Sequence, residues 1–290
     1  EPFHARRVLS RLGAAQRWCA PPSPRALARA VDAGWLTPKD AEAATGWPSA
    51  DALTLEGDSG GHTDRRNWMT ALPAFRELVQ GAPRPVLLGV AGGLGTPEAV
   101  GMALAMGADY ALGGSLHQSC DEAGASPRVR AWLRGARCED FAFVPSPVRF
   151  GTPSRVQVLD GPTPFARLAQ QLEALWRRAG DAPLTGADRT FVEDRLGETL
   201  EDAWERTAAW LATHEPERLA RADQPRQRLA LLCSSWLARC ARRAVREDGH
   251  PEVQVWSGPA VAAFNARSGS RSTSRPVAEV CRWLCPEVVA

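Results

Sequence analysis

The sequence predicts an α/β fold in which a parallel β-sheet is followed by an all-helical region. Apolar runs that each end in glycines predict strands at residues 52–55, 85–91 and 110–112, the first of them buried. A helical pattern separates the second run from the third, which is the strand–turn–helix–strand order of parallel sheets. The glycine turns end at Ser126, and beyond residue 160 apolar residues recur at helical spacing. The chain is therefore predicted to contain a sheet-forming part and a helical part.

The residues before the first strand are predicted to be helical. Residues 6–18 carry apolar residues at helical spacing. Two further helices, at residues 24–31 and 38–44, are each predicted from a Ser or Thr N-cap followed by a proline. Nothing before Ala52 has the pattern of a strand. We therefore expect only three or four parallel strands.

The rest of the chain is predicted to be mostly helical. Three stripes of apolar residues predict amphipathic helices whose tryptophans anchor a core: residues 165–176, 192–211 and 229–240. Shorter elements are also predicted: helices at residues 98–106 and 127–134, a proline-containing loop at 144–147, a strand at 155–159, a Ser/Arg/Gly linker at 268–274 and a last helix at 277–284.

Glycine pairs follow all three predicted strands and are the candidate ligand-binding residues. Backbone N–H groups in such turns can approach a ligand closely because no Cβ stands in the way. Ligands bind at the carboxyl edge of parallel sheets, and helix N-termini at that edge suit a phosphate group. Turn geometry without any ligand is the alternative, but the repetition on successive strand ends favours a phosphate site. Its predicted residues are Gly60, Gly61, Gly92, Gly93, Gly113 and Gly114, with the Ser115 hydroxyl as a further donor.

His62 directly follows the first glycine pair and is the candidate catalytic residue. Its ordinary pKa of about 6.5 suits proton transfer near neutral pH. A loop histidine hydrogen-bonded to backbone is the alternative, and the neighbouring glycine turns favour the catalytic or cofactor-contacting role. For the nearby Glu56 and Asp64, acid roles stay open against a surface role and a helix-capping role.

Four stretches of sequence resemble a known family: SGGHTD at residues 59–64, AGGLGTPEA at 91–99, MGADY at 106–110 and GGSLHQSCDEAGAS at 113–126. They are similar to nitronate-monooxygenase-like flavin barrels. Within that group they most resemble the trans-acting enoyl reductases of polyunsaturated fatty acid and polyketide synthases, the PfaD type. The resemblance extends to residues 156–159 and to GPAVAAFN at 258–265. It suggests that this last segment packs back against the barrel.

The resemblance implies the C-terminal part of a TIM (β/α)8 barrel with an added all-α subdomain. Residues 1–160 would form the C-terminal portion of an FMN-binding barrel with preceding helices, and residues 161–290 a helical subdomain with a C-terminal tail. Family members have further barrel strands before the SGGHTD loop. We therefore expect either a fragment of a longer enzyme or a natural half-barrel, and the missing initiator Met favours the fragment. Such a fragment would bind flavin poorly or not at all.

The resemblance also implies a reaction, cofactors and partners. NADPH would reduce FMN, and hydride would pass to the β-carbon of an enoyl thioester on an acyl carrier protein, with His62 orienting or protonating the substrate. The partners would be the carrier protein, a polyketide or fatty acid synthase, and a second copy in a homodimer. Oxidation of a nitronate by O₂ on the same flavin is one alternative. A truncated, non-catalytic module of a synthase is another.

Composition excludes several classes of function. With 44% hydrophobic residues, 23% charged residues and a net charge of +2, the chain is typical of a soluble globular protein. No nucleic-acid partner, membrane partner or secretory signal is expected, which predicts a cytoplasmic location. The seven cysteines form no CxxC pair. Reduced, packed thiols are therefore favoured over a metal site.

Overall fold

The computed structural model describes residues 6–246, 249–269 and 274–285. Its strands are β1 (Arg6–Leu9), β2 (Ala52–Glu56), β3 (Gly61–His62), β4 (Leu87–Ala91), β5 (Tyr110–Leu112), β6 (Phe141–Pro145) and β7 (Arg155–Leu159). The α-helices are α1 (Leu12–Cys19), α2 (Pro24–Asp32), α3 (Pro38–Ala44), α4 (Trp68–Gln80), α5 (Pro97–Ala105), α6 (Pro127–Gly135), α7 (Phe165–Ala179), α8 (Gly186–Leu196), α9 (Leu200–His214), α10 (Pro216–Leu219), α11 (Pro225–Arg242), α12 (Ala260–Ser268) and α13 (Val277–Leu284). A 3₁₀ turn covers His117–Ser119.

Two separate sheets organise the fold. The first has the order β1-β2-β4-β5, and all of its pairs are parallel. The second has the order β3-β7-β6 and is antiparallel. The predicted α/β class with a parallel sheet is thus confirmed. Within the described part of the chain the parallel sheet is open, with β1 and β5 at its edges, so a closed barrel stays a prediction.

The capped helices begin where the sequence predicts. Ser23 accepts a hydrogen bond from the Ala26 N–H at the start of α2, and proline occupies the first turn. Thr37 and Asp40 form a reciprocal capping box at the start of α3. Such caps satisfy N–H groups that have no partner inside the helix. These two boundaries are therefore set by local sequence.

The helix predicted at residues 6–18 is wrong in its first part. β1 occupies Arg6–Leu9, and the helix begins only at Leu12. β1 pairs in parallel register with β2, from Arg6 opposite Ala52 to Leu9 opposite Leu55. Most of this edge strand is exposed, so its sequence lacks the apolar pattern of a buried strand. Long-range backbone pairing overrides the local helical spacing.

Two further predictions are corrected by the structure. The proline-containing loop begins later than expected, since β6 extends through Pro145 and pairs with β7. The single stripe at residues 192–211 is divided between two helices, because Gly197 adopts a left-handed conformation (φ 75°) after α8. A helix ends readily at such a glycine. The strand predicted at residues 155–159 is confirmed as β7.

The parallel sheet and the small sheet contribute to different hydrophobic cores. Residues of β2 and β4 pack with α1, α4 and α5 in one core. Residues of β6 and β7 pack with α7, α8, α9 and α11 in a second. A third core joins α6, α12 and α13. The small sheet is thus the layer between the glycine loops and the helices.

The described residues leave some predictions untested. Part of the predicted linker, residues 270–273, lies outside them. The division of the chain at residue 160 also stays a prediction. Among the described helices, none is long and apolar enough to cross a membrane.

Candidate functional site

The loops that follow β2, β4 and β5 meet around a cavity of about 440 Å³, which we call the glycine cavity. Because the three strands are parallel, their carboxyl ends lie at the same edge of the sheet. All of the site residues predicted from the sequence line this cavity: Gly60, Gly61, His62, Gly92, Gly93, Gly113, Gly114 and Ser115. Its volume falls in the range of small-molecule sites, about 300–1,000 Å³.

Two of these glycines permit close packing of the loops. A Cβ on Gly92, whose φ is +90°, would lie 2.7 Å from the carbonyl oxygen of Asp58. A Cβ on Gly60 would lie 2.5 Å from the Cα of Ser257. Neither position could carry a side chain without moving backbone. Gly60 and Gly92 therefore allow the loops around the cavity to pack closely, and they leave no extra space for a ligand.

Gly93 and Gly114 differ from this pair because their missing side chains leave open space. A Cβ at either position would meet no atom within 4 Å, although both residues line the cavity. In the described loops, backbone hydrogen bonds engage the N–H groups of Gly57 and Gly95 but not those of Gly93, Gly113 or Gly114. These N–H groups can therefore donate to an anionic ligand.

Ser115 ties the cavity to the C-terminal segment. Its Oγ accepts a hydrogen bond from the Gly258 N–H at 2.9 Å. Further along, a Cβ on Gly95 would lie 2.0 Å from the carbonyl oxygen of Ala260, at the start of α12. These contacts confirm that the GPAVAAFN segment packs against the strand-end loops. Ser115 thus already uses its oxygen as an acceptor.

His62 lies on β3 and is held from two sides. Its Nε2 lies 2.8 Å from the Oγ of Ser146, which is fully buried just after β6. Its ring meets the Trp256 ring edge-to-face, with centroids 5.1 Å apart and planes at 85°. Edge-to-face contact is a favoured aromatic geometry. The imidazole is therefore oriented at the rim of the glycine cavity.

The electrostatics around His62 favour a neutral ring. Partial burial of the imidazole, and secondarily the nearby positive charge of Arg149, lower its pKa below the ordinary value. Both effects disfavour the charged form. Because the ordinary value is already about 6.5, His62 is mostly neutral at pH 7.

Two carboxyl groups of the glycine cavity have pKa values shifted upward. Burial raises the pKa of Glu56, partly offset by a hydrogen bond from the Ser59 hydroxyl at 2.7 Å. Burial also raises the pKa of Asp58, partly offset by the charge of Arg65. Shifted acids and bases gathered in a cleft are typical of functional sites. Glu56 is therefore a half-buried residue in the wall of the cavity.

A second, polar cavity of about 260 Å³ adjoins the first and shares Glu56 and His62 with it. Asp64 lies in its wall and accepts hydrogen bonds from the Ser10 hydroxyl at 2.6 Å and from Arg11 at 3.1 Å. Asn67, not Asp64, caps α4. The capping role for Asp64 is thus wrong, and this residue instead joins the loop to the end of β1.

Sequence reasoning missed several residues of this site. Ser146 and Trp256 lie far from His62 along the chain and carry no motif of their own. Asp58 lies inside the first glycine loop, but no pattern of residues distinguishes it there. Trp256 lies two residues before the GPAVAAFN segment, and this position is the one sequence feature that could have indicated a place near the site.

The seven cysteines differ in their exposure to solvent. All seven are within the described residues, and none forms a disulfide. Cys233 and Cys240 are buried in α11, whereas Cys138 and Cys281 are exposed, so the expectation of packed thiols is wrong for the latter two. No group of three or more potential ligands among the described residues is placed to hold a metal ion.

Known proteins resemble this chain over most of its length. It is 34% identical over 267 residues to the polyketide biosynthesis protein ThaF of Burkholderia thailandensis, covering 89% of this chain and 23% of ThaF. It is 32% identical over 274 residues to a component of the polyunsaturated fatty acid synthase of a Thraustochytrium species, covering 89% of this chain and 18% of that component. The chain thus spans less than a quarter of the length of either relative.

A solved structure shares the fold closely. The enoyl reductase domain of MlnA, from the macrolactin biosynthesis cluster of Bacillus amyloliquefaciens, matches with a TM-score of 0.83 and 27% sequence identity. The match covers 96% of this chain and 66% of that one. Residues 183–255 match a family model described as the inserted helical domain of [acyl-carrier-protein] S-malonyltransferase. The chain is therefore similar to parts of polyketide and polyunsaturated fatty acid synthase proteins, and to an enoyl reductase domain.

Proposed function

We propose that this chain forms part of a flavin-dependent enoyl reductase in polyketide or polyunsaturated fatty acid biosynthesis. The observation that carries the proposal is the convergence of three glycine loops and His62 on one cavity. The similarity to the MlnA enoyl reductase domain supports it. In this proposal the parallel sheet is part of a TIM barrel, residues 161–290 form the helical subdomain and tail, and the protein is cytoplasmic.

FMN fits the residues present. Open N–H groups at Gly93, Gly113 and Gly114 suit the phosphate, and the open space at Gly93 and Gly114 leaves room for the ligand. The 440 Å³ cavity is compatible with a ligand of this size class. When bound, FMN would supply hydride transfer to a carbon–carbon double bond, with NADPH as the reductant.

The residues of the chain would bind the cofactor, and they would orient and polarise the enoyl thioester. The glycine loops would hold the cofactor phosphate through backbone N–H groups. His62, oriented by Ser146 and Trp256, would face the enoyl thioester. We propose that the thioester is carried on an acyl carrier protein, with the synthase and a second copy of the chain as further partners. The similarity to polyketide and polyunsaturated fatty acid synthase proteins supports this substrate class.

The first test is the visible absorption spectrum of the purified chain with added FMN. A fragment is expected from the resemblance to bind flavin poorly, but all three glycine loops line one cavity here. We therefore expect a flavin spectrum shifted from that of free FMN and bleached by NADPH. Enoyl thioester should then restore the absorbance. Oxygen consumption with a nitroalkane, without enoyl turnover, would favour the nitronate alternative. Carrier-protein binding without any flavin signal would favour the non-catalytic module and overturn the proposal.

A matched pair of variants localises the cofactor. Gly114→Leu would place a side chain in the open space of the glycine cavity, whereas Gly101→Leu would place it in open space on α5. We expect Gly114→Leu to weaken FMN binding by at least about tenfold, which corresponds to about 1.4 kcal/mol. Gly101→Leu should leave it unchanged. Equal FMN affinity in both variants would contradict the assignment of this cavity.

A further inference from the structure

We infer that Ser146 is a positioning residue that holds His62 as its neutral Nδ1–H tautomer, so that His62 acts as a hydrogen-bond donor and not as a base. The inference rests on the proposed function only for the identity of the acceptor, the oxygen of an enoyl thioester. The assignment of the tautomer stands on the geometry of the chain alone.

The first step is the direction of the Ser146–His62 hydrogen bond. Ser146 is fully buried, and its Oγ lies 2.8 Å from Nε2. Among the described residues the hydroxyl makes no other side-chain hydrogen bond, while the Ser146 N–H donates to the Ser154 carbonyl. A buried hydroxyl hydrogen without an acceptor is costly. Donation to the lone pair of Nε2 satisfies it, and the ring proton is then on Nδ1.

The second step is the fixed position of both partners. His62 pairs with Val156 of β7, and β7 pairs in turn with β6, which ends at Pro145 beside Ser146. Trp256 contacts the imidazole from another direction. Both ends of the hydrogen bond are therefore attached to one small sheet, and the bond needs no rearrangement to persist.

The third step is the charge that surrounds the ring. Arg149 acts on His62 from the loop after β6 and disfavours the imidazolium form. The other charged side chains that share the polar cavity with His62 are Glu56, Asp64, Arg65 and Arg155. Asp64 is paired with Arg11, and Arg155 with Glu173. The two carboxylates therefore do not outweigh the arginines in favour of a charged imidazole.

The chemical consequence separates two reactions. With Nε2 occupied by the Ser146 hydroxyl and Nδ1 protonated, His62 has no free lone pair with which to abstract a proton. It can instead donate its Nδ1–H to the thioester oxygen, where negative charge develops as hydride adds to the β-carbon. Solvent water then supplies the proton to the α-carbon. A neutral imidazole in this role suits a reductase and not an oxidase that needs a base.

The test is ¹⁵N NMR of the histidine rings in the purified chain without flavin. His62→Gln assigns the signals of His62 by their loss. We expect a protonated Nδ1 and an unprotonated Nε2 in the wild type. Ser146→Ala should abolish this preference and raise the pKa of His62, whereas Ser146→Thr should retain it. Ser234→Ala, a buried serine in α11, controls for general effects of losing a core hydroxyl.

The outcomes distinguish this inference from the proposed function. A wild-type His62 with its proton on Nε2, or a tautomer unaffected by Ser146→Ala, would overturn the inference even if the protein reduces enoyl thioesters. The expected tautomer in a chain that binds no flavin would support the positioning role and count against the proposed function. If Ser146→Ala fails to fold, the wild-type tautomer and the Ser146→Thr variant still decide the question.

Discussion

The glycine cavity and the His62–Ser146 pair are neighbouring parts of one site, but they are built in different ways. The cavity depends on backbone, since its key residues either lack the room for a side chain or leave space where one would be. The pair depends on side chains that are brought together by a second sheet. A side chain added to the cavity loops would displace backbone or occupy ligand space. The pair, in contrast, depends on a single side-chain hydrogen bond. The two should therefore fail in different ways when they are mutated.

The largest effect is expected where the cavity loops touch the C-terminal segment. Gly95→Ala would place a Cβ 2.0 Å from the carbonyl oxygen of Ala260, so backbone must move. We expect a loss of about 3 kcal/mol or more in the free energy of unfolding, measured by urea denaturation. Gly101→Ala, which meets no neighbouring atom, is the control. A stability loss below about 1 kcal/mol in Gly95→Ala would show that α12 does not pack there.

Mutation of the His62–Ser146 pair should lower the rate of enoyl reduction and leave FMN binding unchanged. We expect Ser146→Ala to lower kcat for enoyl reduction by about 10–100-fold, or about 1.4–2.7 kcal/mol, with FMN affinity unchanged. Gly114→Leu should instead weaken FMN binding and have the smaller effect on kcat at saturating FMN. Steady-state kinetics at saturating FMN would separate the two effects. Loss of FMN affinity in Ser146→Ala would remove the distinction between the two parts of the site.

A smaller effect is expected at Glu56, which lies in both cavities. Its pKa is raised mainly by burial, so the folded protein binds its proton more tightly than the unfolded chain does. Above the unfolded pKa of about 4.3, the charged carboxylate therefore destabilises the fold. Glu56→Gln should stabilise the protein at pH 7 by up to about 1 kcal/mol, given partial exposure to solvent. This gain should vanish as the pH falls below about 4.3. A gain that persists at still lower pH would need another cause.

The smallest effect is expected at Arg149, whose charge lowers the pKa of His62. Arg149→Gln should raise that pKa only slightly toward its ordinary value, because Arg149 is exposed and solvent screens its charge. NMR titration of His62 would measure the change. Arg267→Gln, which removes an exposed arginine paired with Glu98, should leave the pKa of His62 unchanged. A lowered pKa in Arg149→Gln would contradict the electrostatic account.

Local patterns are sufficient for the backbone part of the site. Runs of apolar residues that end in glycines predict β2, β4 and β5, and proline after a Ser or Thr cap predicts α2 and α3. β1 is missed because it is an exposed edge strand, with Val8 46% exposed, and only its pairing with β2 defines it. Backbone conformation is thus readable from sequence where glycine and proline set it.

The side-chain part of the site is only half predictable. His62 carries a recognisable context of glycines, but Ser146 is 84 residues away and sits between two prolines with no motif. The hydrogen bond arises from antiparallel pairing of β3, β7 and β6, which no local pattern encodes. Closure of the parallel sheet into a barrel stays a prediction.

His62 and the glycine loops are attached to different layers of the molecule. β3 belongs to the sheet whose other strands pack on the helices, while Gly93 and Gly114 follow strands of the parallel sheet. Residues 57–60 are the short covalent tether between β2 and β3. Sliding of the helical layer would therefore displace the histidine relative to the glycines. The distance between the histidine and the glycines is thus set by how the two sheets are placed relative to each other.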